Sequence, residues 1–497
     1  MALARRFDPA RAFVLAVLGG FLFLPELTEI DLPLLPALTK HSVPILSVLL
    51  FWPLFRPPGP AGVTGPTRSI MAGNPIMVLV TLGLALGALA TVVANGDRLF
   101  YGPTILPGMR LYDGLSQILS TLILVLPMLL ARRFLARPED HLLLLKLLCF
   151  AALGYSLLAL FEIRMSPQLN NWTYGFFPHS WIQHYRGGGW RPIVFMIHGL
   201  VLSIFFCMAI LAAAGLFRIE RDRRRMFLLA CLWLILTLVL SKSLGALVIM
   251  LMILPVVLFL GVRGQLIGAC LIAGLMLSYP VARSAGIIPV DRILEMARDF
   301  DPARAESLEF RVVNEERMLA KAQERPILGW GGWGRSRVFD PVTGVDISTA
   351  DGEWIIVLGV GGWVRYVLEF GLLCLPLVFL LRNQKRYGIG MESSVLALML
   401  SANILDLLPN SSITPISWLV AGALWGRLEL GRIEAPAQGA ETGVAGPARS
   451  GYRRALKPAP AAPDPVPVAP PAQADTNPSS TPYTRQKTRH RRKGANH

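Results

Sequence analysis

The chain has 497 residues, 53% of them hydrophobic and only 16% charged, with a formal net charge of +16 and a mean hydropathy of +0.52. A soluble domain carries roughly a quarter charged residues, so the composition excludes an ordinary soluble globular protein. Apolar runs of about 20 residues, enough to cross a ~30 Å hydrocarbon core, recur along the chain, and the expected fold is all-α: a polytopic transmembrane helical bundle.

In chain order, twelve spans are predicted, at 12–29, 42–55, 73–94, 111–131, 141–163, 192–217, 226–242, 244–261, 265–283, 354–381, 392–408 and 412–428. The first follows a basic stretch and lacks a small-residue cleavage site, so it reads as an uncleaved helix. The second is short. Lys and Arg of short loops are retained on the cytoplasmic side. The basic segments 132–137, 218–225 and 382–386, Arg263 and both termini share one side when twelve spans alternate. A shift by one span breaks that agreement, which puts both termini in the cytoplasm. Cys149, Cys207, Cys231, Cys270 and Cys374 all fall inside apolar runs. They read as small buried hydrophobes, with neither a disulfide framework nor a metal-ligand spacing.

The opposite, outer face then carries two sizeable loops, 164–191 and 284–353. The second far exceeds the ~12–15 residues of a plain connector. Its stretch "DPARAESLEFRVVNEERMLAKAQERP" reads as a helix ended by Pro326, followed by the glycine-rich turn "ILGWGGWG". Residues 1–428 are expected to form the transmembrane domain. Residues 429–497, rich in Pro and Ala and basic at the end, are expected to be a disordered cytoplasmic tail. That basic end either touches anionic headgroups or is an inert tether. The topology accounts for the positive charge, so nucleic acid is not implied.

Several outer-face residues are candidates for chemistry. "YRGGGWRPIVFMIHGL" (185–200) holds Arg186 and Arg191 against the positive-inside trend. A guanidinium there suits a phosphate or diphosphate, because its planar fork donates paired hydrogen bonds; snorkelling to headgroups is the alternative. Pro192 reads as a first-turn residue of the next helix. His198, seven residues on, would share the face of Arg191 and reads as a hydrogen-bonded interior histidine. Lys242 is the lone charge in 226–260 and sits at a predicted tight outer turn. It either meets an anionic partner or is simply exposed to water. Arg311, taken alone, reads as a solvated residue of a charged helix.

In "TADGEWIIVLGVGGWVRYVLEFGLL" (349–373) the apolar run 354–381 is longer than one crossing needs. The "GVGG" at 359–362 marks a break, so the span is expected to begin near Trp363. Arg365 and Glu369, one turn apart, are a predicted ion pair. Asp351 either takes a proton from a sugar hydroxyl or caps the helix near Glu353. Asp406 and Asn403 are lesser candidates.

The ordered set "RGGGWRPIVF", "LSKSLGAL", "FRVVNEERMLAKAQERPILGWGGWGR" and "GEWIIVLGVGGWVRYVLEFGLL", across about 185–375, resembles the O-antigen ligase and polysaccharide polymerase family. Those proteins are integral glycosyltransferases of the bacterial inner membrane. The resemblance implies an undecaprenyl-diphosphate-linked oligosaccharide as donor and an active site facing the periplasm; separately, the sequence shows no acidic metal-ligand cluster on the outer face outside the charged loop, so neither metal nor cofactor is expected. Arg191 and Arg311 would grip the diphosphate, with Arg186 and Lys242 beside them. The acceptor would be a second glycan for a polymerase or lipid A–core for a ligase, and a polymerase would work alone or with a chain-length regulator. The family's ligases carry His-Asn where this chain has Asp351-Gly352, and Asp351 would stand in as base. That departure favours the polymerase. The rival readings are a lipid-linked glycan flippase or other transporter, which would place ionisable groups deep in several spans, and a structural membrane subunit.

Overall fold

The computed structural model describes residues 6–31, 36–51, 74–300 and 302–441. Among these, the chain forms α1 (Pro9–Phe23), α2 (Val43–Leu50), α3 (Pro75–Ala94), α4 (Leu111–Phe134), α5 (Pro138–Met165), α6 (Leu169–Tyr174), α7 (Gly199–Ile219) and α8 (Arg224–Leu240). Then follow α9 (Leu244–Phe259), α10 (Val262–Ser284), α11 (Val290–Phe300), α12 (Pro302–Glu324), α13 (Glu353–Asn383), α14 (Met391–Asp406) and α15 (Pro415–Glu441). The strands are two short hairpins, β1 (Leu99–Tyr101) with β2 (Thr104–Leu106) and β3 (Tyr185–Arg186) with β4 (Gly189–Trp190).

Apolar length makes these helices and local chemistry sets their starts. Asp8 caps α1 by accepting from the Arg11 amide at 3.1 Å. Asn74 caps α3 through the Ile76 amide at 3.0 Å. In both, proline at the first helical position costs no hydrogen bond, since that amide has no intrahelical acceptor.

Six helices, α3, α4, α5, α7, α10 and α13, are long and apolar enough to cross a membrane; α1 and α9 are apolar but shorter. This fits a membrane protein. Every predicted span overlaps a helix, but among the described residues the long ones number six where twelve crossings are expected. The end of the second predicted span lies outside the described residues.

The core is built around α7, in which every residue from 201 to 216 is buried. It packs against α5, α8, α9 and α14. Small residues permit close approach, as polytopic bundles require where lipid supplies no hydrophobic drive between helices. A Cβ on Gly215 would lie 2.7 Å from Val395 of α14.

At one end of the bundle the long connections lean on one another. Asn95, after α3, donates to Gly329 O at 3.0 Å, and Arg335 reaches Pro107 O at 2.8 Å. The predicted helix in the 284–353 segment is α12, and the glycine-rich turn follows it. That turn pairs with a break inside α13. Trp330 and Gly331 amides donate to Gly359 O and Val360 O, both at 2.9 Å, and Trp363 and Val364 amides donate to Pro326 O (2.8 Å) and Ile327 O (3.2 Å). Gly362, at φ 63°, is the non-helical residue that permits this, since a Cβ there would collide with Ile327. The break predicted at 359–362 is therefore present at Gly362, where two helical stretches meet within α13, the second beginning at Trp363. The turn restores the hydrogen bonds that the break releases. Arg365 and Glu369 form the predicted pair, at 2.8 Å.

The first residues of the segment expected to be a tail, 429–441, are helical. Helix α15 continues to Glu441, with Arg427 donating to Tyr387 O and standing 3.7 Å from Glu434. Residues 442–497 lie outside the described residues.

Candidate functional site

The opening of the site is the β3–β4 hairpin, and each glycine of its triplet has its own reason. Gly187 and Gly188 occupy the two-residue turn with φ of 53° and 71°, the left-handed pair a tight hairpin demands. Gly189 is bare because Lys242 lies against it: a Cβ there would sit 2.5 Å from Nζ. Lys242, itself at φ 55°, occupies the turn between α8 and α9. Its ammonium donates to Arg186 O at 3.0 Å and Gly187 O at 2.7 Å. Arg191 closes the triangle by donating from Nη2 to Lys242 O at 3.2 Å. Lys242 thus spends two of its three protons clasping the hairpin.

Pro192 does not begin a helix. Residues 192–198 are irregular and α7 starts at Gly199. The reason comes from α5, where the buried Glu162 accepts from the Ile193 amide at 2.8 Å, the Val194 amide at 2.7 Å and the Leu169 amide at 3.1 Å. Tyr155 accepts from the Phe195 amide at 3.1 Å. With those amides satisfied from outside, Val194 holds φ 56°. His198 is the N-cap of α7, its Nδ1 accepting from the Leu200 amide at 3.0 Å. The helical spacing expected between Arg191 and His198 is therefore absent. Sequence reading missed Glu162, although an acid inside an apolar run is a feature that needs a reason.

Arg311, on α12, is not a solvated residue of a free helix. Its Nη1 donates to Pro409 O at 2.9 Å and Asn410 Oδ1 at 3.2 Å, and its Nε stands 3.6 Å from Asp351 Oδ2. Asp351 does not cap α13; Gly352 occupies the cap position with no side-chain bond. Behind Asn410, Asp406 accepts from Asn410 Nδ2 at 2.9 Å and from Ser412 Oγ at 2.6 Å. Ser411 donates to the buried Glu353, whose amide bonds Leu407 O at 3.0 Å. Sequence reading missed Glu353 as a site residue and ranked Asp406 low.

Hydrogen bonds join Arg191, Lys242 and the Arg186 carbonyl, Arg311 stands against Asp351, and the charges of Arg186 and Arg311 reach Arg191. Burial, followed by the charges of Arg186 and Arg311, lowers the Arg191 guanidinium to about 10, so it stays a cation at neutral pH. Fixed cations among low-dielectric walls favour an anion with spread charge.

Three histidines join this cluster, two of them without notice from the sequence. His179, His184 and His198 bring their ring nitrogens within 4.8 Å of one another. Burial, then neighbouring positive charge, lowers His184 to about 4 and His198 to about 3. His179 and His184 share a loop at a spacing that signals nothing, and only the fold adds His198.

No protein-family model matches the chain, and no curated protein matches it.

Proposed function

We propose that the protein is a membrane glycosyltransferase that polymerises undecaprenyl-diphosphate-linked oligosaccharide on the periplasmic face of the bacterial inner membrane. The observation that carries this reading is the convergence of Arg186, Arg191 and Arg311 at one end of an apolar helix bundle, close enough for the other two to bear on Arg191. A lipid-anchored diphosphate is an anion that reaches such a place from within the bilayer.

In the proposed reaction the acceptor hydroxyl oxygen attacks the anomeric carbon of the donor sugar from the face opposite the phosphate. The bond from that carbon to the phosphate oxygen breaks, and the lipid diphosphate leaves with the electron pair. Arg191 and Arg311 neutralise the charge that develops there. Asp351, 3.6 Å from Arg311, takes the hydroxyl proton. Its neighbour Arg311 thus ties the leaving-group side to the acceptor side. The steps as written need no metal, and the prenyl chain would lie among the spans.

The test is the surface glycan of a deletion strain, resolved by gel. Single repeat units on their acceptor are expected, with long chains restored by the wild-type gene. Bare acceptor with long lipid-linked chains would instead make the protein a ligase that transfers to lipid A–core. Normal chains trapped inside the cell would mean a flippase.

A further inference from the structure

We infer that His184 and His198, with Arg191 and the N-terminus of α7, form a phosphoryl-binding subsite in which the imidazoles donate hydrogen bonds to the diphosphate. This rests on the lipid-diphosphate reading above and extends it to residues outside the arginine set.

The first argument is unmet hydrogen bonding. His184 is fully buried, yet neither ring nitrogen has a partner, and the buried Arg191 Nε also has none. A neutral imidazole always carries one N–H, and an arginine Nε is always a donor. Buried donors without acceptors are rare and mark a missing partner.

The second argument is the proton on His198. Its Nδ1 accepts from the Leu200 amide at 3.0 Å, so the neutral ring carries its proton on Nε2. That atom is then a donor and has no lone pair for a metal ion. The three rings stand with centroids 4.8, 4.9 and 5.6 Å apart, and their nitrogens lie within 4.8 Å. One oxygen accepting at about 2.8 Å from each of two donors spans up to about 5.6 Å. The cluster has the width for a shared phosphoryl oxygen.

The third argument is charge. Arg186 and Arg191 both bear on His184 and His198, and the Arg191 side chain lies across Gly199, where a Cβ would overlap it. Gly199 is the first residue of α7, the positive end of a helix dipole. A divalent cation would meet repulsion from all three; a diphosphate meets attraction.

The experiment is thermal unfolding of the purified full-length protein in detergent with EDTA, titrated with inorganic pyrophosphate. Wild type is expected to be stabilised. His184→Phe keeps a flat ring and removes both orphan nitrogens. It is expected to weaken the pyrophosphate response at least tenfold without lowering the unliganded midpoint. His198→Asn keeps an N-cap acceptor for Leu200 but removes the Nε2 donor, and it decides the matter should the Phe variant fold poorly. Arg191→Ala reports on the parent reading. Wild-type responses in both histidine variants, with loss in Arg191→Ala, would overturn this inference and leave the proposed function standing. Full responses in all three variants would overturn both. Stoichiometric zinc in the protein as purified, with a pyrophosphate response that EDTA abolishes, would make the cluster a metal centre instead. An equal response to glycerol 3-phosphate would assign it to a phospholipid headgroup.

Discussion

Two arginine clusters at the same end of the bundle are built in opposite ways. Around Asp97 two arginines share one counter-charge supplied by the chain itself. Arg325 meets that carboxylate through Nη2 at 2.7 Å and Nη1 at 3.1 Å, and Arg335 meets it at 3.2 Å. Arg335 is fully buried and spends its other donors on Trp330 O, Asp97 O and Pro107 O. Arg191 is nearly as buried, but it donates to one carbonyl, leaves Nε unpaired, and has Arg186 and Arg311 as its charged neighbours. Burying a cation without a counter-charge is costly. The Asp97 cluster therefore reads as a lock between two loops, and Arg191 as a buried cation with no carboxylate partner among the described residues, since Asp351 stands against Arg311.

The sharpest way to break that contrast is to remove one arginine. Arg191→Ala is expected to cut polysaccharide output at least about a hundredfold, the scale of losing a preorganised donor to a leaving group, at unchanged protein level in the membrane. Arg191→Lys should recover little, because an ammonium lacks the paired donors of a guanidinium. Wild-type glycan from Arg191→Ala would end the functional reading of that cluster.

Asp97→Asn should do the reverse. It strands two arginines, one of them fully buried, and is expected to cost about 2 kcal/mol of stability, discounted from a fully buried pair because Asp97 is half exposed. Protease would then cut more readily near residues 325–340, while the intact fraction keeps its activity. Loss of activity with normal protease resistance would erase the distinction.

The smallest effect separates the two clusters by pH. His184 is lowered to about 4 by burial, then by His179, Arg191 and Arg186. Its unfolded value is about 6.5. The folded form is thus favoured fully above pH ~6.5 and loses that advantage as pH falls toward 4. The Asp97 carboxyl is held below its usual range, chiefly by Arg325, so its contribution persists to about pH 4 and fades only below. Corrected for the intrinsic exchange rate at each pH, the protection of amides 185–198 should therefore fall between pH 6.5 and 4.5, while amides 328–335 stay protected. Simultaneous loosening would merge the two clusters into one cooperative unit.

Much was legible from local pattern. Most of the apolar runs are helical, and α12 and the ion pair of Arg365 with Glu369 lie where spacing puts them. The helix break at Gly362 was also legible. These depend on hydrogen bonds and contacts within about four residues, which periodicity reports. Arg191, Lys242, Arg311 and Asp351 stood out because charge at the edge of an apolar run needs a reason.

What they touch was decided only by the tertiary structure. Glu162 lies on another helix from the segment it holds, and its carboxylate supplies the acceptors that keep 192–198 out of helix. Lys242 meets the hairpin carbonyls across two turns far apart in sequence. His198 joins His184 only because α7 begins late. A local window registers what a residue is and how its neighbours repeat. A partner brought from a distant segment leaves no periodic trace, so the arginines, Lys242 and Asp351 were readable in the sequence, while His179, His184 and the wiring of the site were not.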